Sequence, residues 1–192
     1  MARKYEFKPD KPRISWISKL HLTTLQRKAI LKWGLYGLSL LVLSLLQDVI
    51  LCKFRLFGAT TELVPCGIFL ICVLVGTEQG SLFALISSAL YLFSGTAPGP
   101  YSMVFLTFLS VGICILRQAF LQKGFAAAML CTAVAMIVYV LLNFAIGVFL
   151  GFAPLHRIGG ACITAVLSLI VAPVLYPLFL SIGSIGGEAW KE

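Results

Sequence analysis

The apolar residues of this chain fall into six runs, each closed by a polar or glycine- and proline-rich break. Gly34 to Leu51 is the first, interrupted late by Gln47 and Asp48, and "KFRLFGATTE" follows it. Leu63 to Val75 is the second, ended by "GTEQG"; Ser81 to Phe93 is the third, ended by "SGTAPGPY". Ser102 to Leu116 runs up to Arg117, Phe125 to Leu150 runs up to "GFAPLHRIGG", and Ala161 to Ile182 is the sixth. Crossing about 30 Å of hydrocarbon takes roughly 20 apolar residues at about 1.5 Å each. The pattern therefore predicts an all-α integral membrane protein with six transmembrane helices. The second and third runs are short, at 13 residues each. Either "GTEQG" dips below the headgroups or the two helices pack obliquely inside the bundle, because irregular backbone at that depth needs protein or water to satisfy it.

"SGTAPGPY" predicts a stiff turn between the third and fourth helices. Pro98 and Pro100 each remove a donor and fix φ, Gly95 and Gly99 permit positive φ, and Ser94 and Thr96 bond nearby carbonyls. Tyr101 is an aromatic anchor at the interface.

Composition strengthens the membrane reading and adds an orientation. The chain is 60% hydrophobic and only 11% charged, against roughly 25% charged in soluble domains. Its mean hydropathy is +1.01. The formal charge of +8 is concentrated: residues 1–33 hold nine Lys or Arg and two acids, Glu6 and Asp10, and the rest holds six bases and five acids. With six spans, both termini share a side, which collects twelve bases including Arg117, Lys123 and Lys191, against Lys53, Arg55 and Arg157 on the other. The positive-inside rule then makes both termini cytoplasmic and turns "SGTAPGPY" outward. The expected organisation is a basic cytoplasmic segment over 1–29, suited to lie at the lipid interface, a six-helix domain over 30–183, and a cytoplasmic tail over 184–192. The start does not read as a cleaved signal, because its apolar run is too long. "VILC" does not read as a lipoprotein site, because Val49, Ile50 and Leu51 are bulky.

Candidate chemistry is sparse. Asp48, Glu62 and Glu78 lie near hydrocarbon, where acids are costly and often functional. Each also has a plainer reading. Asp48 is close enough to a helix end to be solvated or paired with Lys53 or Arg55, Glu62 favours the dipole of the second helix from its first turn, and Glu78 is in a turn. Pro65 is close enough to that helix start to cost no hydrogen bond. Asn143 is expected to bond a neighbouring helix, and Gly147 with Gly151 forms a G-x-x-x-G that permits close approach. Pro173 and Pro177 are expected to bend the sixth helix. Thr24 suits the N-cap of the first. Five of the six cysteines lie in apolar runs and read as small hydrophobes. No spacing suggests a metal, a cofactor or a disulfide. There is no H-E-x-x-H or G-x-S-x-G, and the two histidines, His21 and His156, fall on opposite sides. The expectation is a protein that is not an enzyme and binds no nucleic acid.

One order of features resembles a known family. Leu56-Phe57-Gly58 follows the first span, Thr61-Glu62-Leu63 opens the second, and Ser94-Gly95 through Gly99 closes the third before an aromatic opens the fourth. This resembles the MreD family of the bacterial rod-shape system, over about residues 34–182. Thr61 stands where that family has a proline, and Tyr91 where many members have an aspartate. The resemblance implies a non-enzymatic scaffold of lateral peptidoglycan synthesis in the bacterial cytoplasmic membrane. Its partners would be a single-span MreC-like protein, MreB, RodA and a transpeptidase penicillin-binding protein. It implies a partner-binding surface of Phe57, Gly58, Glu62, Gly95, Thr96, Pro98 and Tyr101. The family's fold is similar to the substrate-binding subunits of energy-coupling-factor vitamin transporters, which is the rival reading. Against it, residues 34–51 contain no alanine, whereas those subunits carry Ala-x-x-x-Ala on the first span.

Overall fold

The computed structural model describes residues 24–53, 60–120 and 124–185. Most of the basic amino-terminal segment, the tail, Arg55, Phe57, Gly58 and Lys123 lie outside them. Every regular element among the described residues is helical: α1 (Thr24–Val49), α2 (Leu63–Val75), α3 (Thr77–Phe93), α4 (Pro100–Phe120), α5 (Phe125–Phe149) and α6 (Ile158–Ser184). Four of these, α1, α4, α5 and α6, are long and apolar enough to cross a membrane. The chain is thus an all-α, multi-pass membrane protein. α2, with 13 residues, and α3, with 17, fall short of that length.

α2 is short because it is the hub. It packs against all five other helices, and every residue from Leu63 to Val73 is buried. A helix that is apolar all round belongs in an interior. At about 1.5 Å per residue it is about 20 Å long, so inside about 30 Å of hydrocarbon its termini lie at depth. We call the end of the bundle where α1 starts and α6 finishes the near end, and the end holding the α3–α4 and α5–α6 turns the far end.

At the near end the reversal from α2 to α3 takes one residue. Gly76, at φ 106°, donates to the Cys72 carbonyl and accepts from Gly80. Thr77 to Gly80, expected in a turn, are already helical. Gly80 sits against α2, where a Cβ would stand 3.1 Å from the Cys72 carbonyl oxygen. Gly67 does the same for α1, its missing Cβ lying 3.0 Å from a Leu43 methyl. Arg117, buried on α4, donates to the Val73 carbonyl and so caps the end of α2.

Two expectations change. Gly151, at φ 76°, ends α5 as a Schellman cap: Phe152 N–H reaches the Gly147 carbonyl at 2.8 Å and Gly151 N–H the Val148 carbonyl at 3.0 Å. The Gly147–Gly151 pair therefore stops a helix rather than joining two. Asn143 donates to the Tyr139 carbonyl of its own helix at 2.9 Å, not to a neighbour. The helix is the nearest acceptor available to an amide four residues on. Cys66, Cys72, Cys114 and Cys131 are buried thiols, as expected, while Cys162 is exposed.

Candidate functional site

The far end of the hub helix gathers polar groups. The first N–H groups of a helix have no partner within it, and those of α2 begin deep in the bundle. Val64 N–H donates to Gln47 Oε1 of α1 at 3.0 Å. Glu62 N–H donates to Ser168 Oγ of α6 at 2.9 Å. Pro65 has no N–H to satisfy. Gln47, the residue that interrupted the first apolar run, is thus a cap supplied by a neighbouring helix. It is buried because it continues the inward stripe of α1, Lys32, Tyr36, Leu40, Leu43 and Gln47.

Around this terminus lie oxygens that the fold leaves unbonded. Glu62 Oε2 and Asp48 Oδ1 are withdrawn from solvent and have no hydrogen-bond partner among the described residues. Tyrosine hydroxyls of α3 and α5 lie near them. The Tyr91 hydroxyl lies near Glu62 and Asp48 and shares hydrogen bonds with the side chains of Gln47 and Thr96. The Tyr139 hydroxyl lies near Glu62 and Tyr91 and shares hydrogen bonds with the side chains of Ser102 and Asn143. Tyr91 thus lies near two acidic side chains, one from α1 and one from the start of α2.

The second feature is a groove of about 720 Å³ between α1 and α3, which meet only sparsely. Gly37, Leu41 and Ser44 form one wall, Leu82, Ile86 and Leu90 the other, and Val64 of the hub is in its floor. Its near end is closed by aromatic rings, with Trp33 and Phe83 5.4 Å apart and Tyr36 6.1 Å from Phe83. At the far end it reaches Tyr91 and Ser94. The α1 wall runs about 16 Å from Trp33 to Ser44 and the α3 wall about 22 Å from Gln79 to Ser94, at about 1.5 Å per residue. Gly37 faces open space, with nothing within 4 Å of where a Cβ would stand.

The α3–α4 turn continues from the far end of the groove. Gly95 has φ 78°, Ser94 and Thr96 share a hydrogen bond of 2.8 Å, and the Tyr101 hydroxyl reaches back to the Pro98 carbonyl at 3.4 Å. Of the seven residues expected on one surface, the structure brings together Gly95, Thr96, Pro98 and Tyr101 on this turn. Glu62, whose backbone N–H is held by Ser168 at the entrance of α2, lies near Tyr91, whose hydroxyl bonds Thr96 of this turn. Phe57 and Gly58 lie outside the described residues. Gln47, Tyr139 and the groove were not foreseen. The late break at Gln47-Asp48 was the signal for the first, and nothing in the sequence marks the groove.

Comparison of the chain with family models, with curated proteins and with solved structures finds no match.

Proposed function

We propose that the chain is a non-enzymatic membrane scaffold of the MreD kind, and that its α1–α3 groove receives the membrane-spanning helix of a single-span, MreC-like partner. The groove is the observation that carries the reading. It lies at membrane depth, its walls are apolar, and Gly37, Ser44 and Ser87 line it. Helices in lipid associate through close packing at small residues rather than through a hydrophobic drive. A glycine inside a helix costs up to about 1 kcal/mol relative to alanine, and Gly37 gives no close contact within the monomer in return. A second helix backbone brought against it supplies one.

In this reading α2 and α3 complete a six-span topology as a shorter hairpin, both termini are cytoplasmic, and the far end faces outward, in keeping with the twelve-to-three division of basic residues. A partner helix leaving the groove at Ser94 would meet Gly95, Thr96, Pro98 and Tyr101, the turn that follows. MreB, RodA and a transpeptidase penicillin-binding protein are further members of the assembly this places the chain in.

The test is capture of an MreC-like single-span protein by Gly37→Trp. The indole fills open space, so accumulation and thermal stability should match the wild type, while recovery of the partner should fall at least tenfold. Gly112→Trp is the control, because Gly112 is exposed on α4 and also has nothing within 4 Å. Equal recovery with Gly37→Trp and wild type, or equal loss with both variants, overturns the proposal.

A further inference from the structure

Two hydroxyls in the groove have no partner within the described chain. Most hydroxyls on these helices turn back to a carbonyl of their own helix, as those of Ser39, Ser88, Thr107, Thr132 and Ser168 do. Ser44 of α1 and Ser87 of α3 make no such bond, and no other group among the described residues answers them. Ser87 is only 4% exposed, yet it lines the groove. Its neighbour Ser88 shows the contrast, bonding both the Leu85 carbonyl at 3.0 Å and the Thr107 hydroxyl at 2.9 Å. A hydroxyl carries one donor and two acceptor sites, and withdrawing it from water unanswered is costly. A lipid chain in the groove would offer Ser87 nothing. A helix with a polar side chain would.

The ring contact at the near end sets the level of these hydroxyls. α1 and α3 both run from the near end to the far end, and the Trp33 and Phe83 rings are 5.4 Å apart. Gly37 comes four residues after Trp33 and Ser87 four residues after Phe83, so each lies about 6 Å farther along its helix. The place where a docking helix can come closest to the α1 backbone is therefore level with the Ser87 hydroxyl. Ser44 follows Gly37 by seven residues, about 10 Å or two turns farther on. We propose that the helix received by the groove carries a hydrogen-bonding side chain, Ser, Thr, Asn or Gln, that bonds Ser87 beside a small residue packed on Gly37, with a second polar side chain two turns along that bonds Ser44. The inference rests on the docking reading and adds what selects the partner. Spanning helices are all apolar, so apolar walls distinguish them poorly. A buried hydroxyl left unanswered counts against a purely aliphatic helix and in favour of one that bears the matching polar group.

The test is a double-substitution series read by capture of the same single-span partner with the full chain in detergent. Ser87→Ala should leave accumulation and melting temperature unchanged, because the hydroxyl bonds nothing within the described chain. It should lower recovery of the partner about threefold, the usual worth of one hydrogen bond between helices in lipid. Ser44→Ala added to it should bring the loss to about eightfold, the two sites lying far enough apart to act separately. Each Ser, Thr, Asn and Gln of the partner's spanning helix is then changed in turn to Ala. One of these changes should lower recovery about threefold with the wild-type chain and have no effect with Ser87→Ala, the signature of a shared bond. Recovery that Gly37→Trp abolishes but Ser87→Ala leaves unchanged overturns this inference while the docking reading stands. Partner residues that all act equally on the wild type and Ser87→Ala overturn it too, as does a lower melting temperature of Ser87→Ala, which would place the hydroxyl's partner within the chain. Recovery unaffected by Gly37→Trp overturns both readings.

Discussion

Replacing Gln47 with methionine tests whether the hub helix depends on a side chain from its neighbour. Methionine has nearly the same length and volume but cannot accept a hydrogen bond. Val64 N–H, now 3.0 Å from Gln47 Oε1, would be left without an acceptor on a residue only 3% exposed. An orphaned buried donor costs about 1–3 kcal/mol. Burying a thioether in place of an amide returns something under about 1 kcal/mol in this apolar setting. The net loss is about 1–2 kcal/mol. For a chain of this size, that lowers the melting temperature by roughly 2–8 °C. Thermal unfolding in detergent, followed by circular dichroism, reads it. Ser39→Ala supplies the baseline, because the Ser39 hydroxyl only adds a second donor to a Tyr36 carbonyl that the helix already uses, and its loss should cost under about 0.5 kcal/mol. Ser168→Ala orphans the adjacent Glu62 N–H and should cost about 1 kcal/mol. The double variant should lose less than the sum, since a terminus already freed by one change is less dependent on the other cap. A Gln47→Met shift no larger than that of Ser39→Ala would refute the reasoning.

The remaining predictions use the same logic elsewhere. Gly80→Ala should destabilise by about 1–2 kcal/mol, because its Cβ meets the Cys72 backbone at 3.1 Å and the cost of overpacking exceeds the gain in helix propensity. Gly112→Ala, with open space around it, should stabilise by up to about 1 kcal/mol; equal signs in the two melts would contradict the packing account. In a cysteine-free background, single cysteines at Ser15 and Lys191 should resist an impermeant maleimide in sealed cells while one at Thr96 labels, and labelling of the first two would overturn the proposed orientation. Thr96→Arg should leave accumulation normal, because Thr96 is exposed, yet reduce recovery of an MreC-like partner; full recovery would reduce the α3–α4 segment to a chain reversal.

Helix existence was legible because hydrocarbon imposes long apolar runs, and Leu63 and Val75, the bounds read for the second run, are the bounds of α2. Which side of each helix faces inward was not legible from hydrophobicity, because lipid and core are both apolar. The faces differ in a subtler way. α4 turns Ser102, Ser110, Cys114 and Arg117 inward and leaves Val104, Phe108 and Ile115 exposed. α5 buries Ala128, Cys131, Thr132 and Ala135 and exposes Leu130, Val134 and Ile137. The inward faces thus mix small and polar residues, where close packing and hydrogen bonds are found, with large ones such as Leu106 and Met136, whereas the exposed positions are mostly large and apolar. Read that way, Gln47 and Arg117 would have been placed inside from sequence. The tyrosine cluster would still have escaped notice, since Glu62, Tyr91 and Tyr139 meet only when three helices are assembled.

The two ends of α2 show why the candidate sites fall where they do. A hub about 20 Å long, buried in about 30 Å of hydrocarbon, brings two sets of unpaired backbone groups to membrane depth. At the near end the fold answers them. Arg117 caps the Val73 carbonyl, Cys114 donates to the Cys72 carbonyl at 3.2 Å, and Cys72 donates to Gly80 at 3.3 Å. At the far end the N–H groups are answered by Gln47 and Ser168, and the tyrosine hydroxyls by Gln47, Thr96, Ser102 and Asn143, while Glu62 Oε2 and Asp48 Oδ1 find no partner among the described residues. Through Tyr91 this polar region adjoins the groove, and through Thr96 it meets the α3–α4 turn, so the caps that hold the far end of the hub also hold the residues a docking helix would touch.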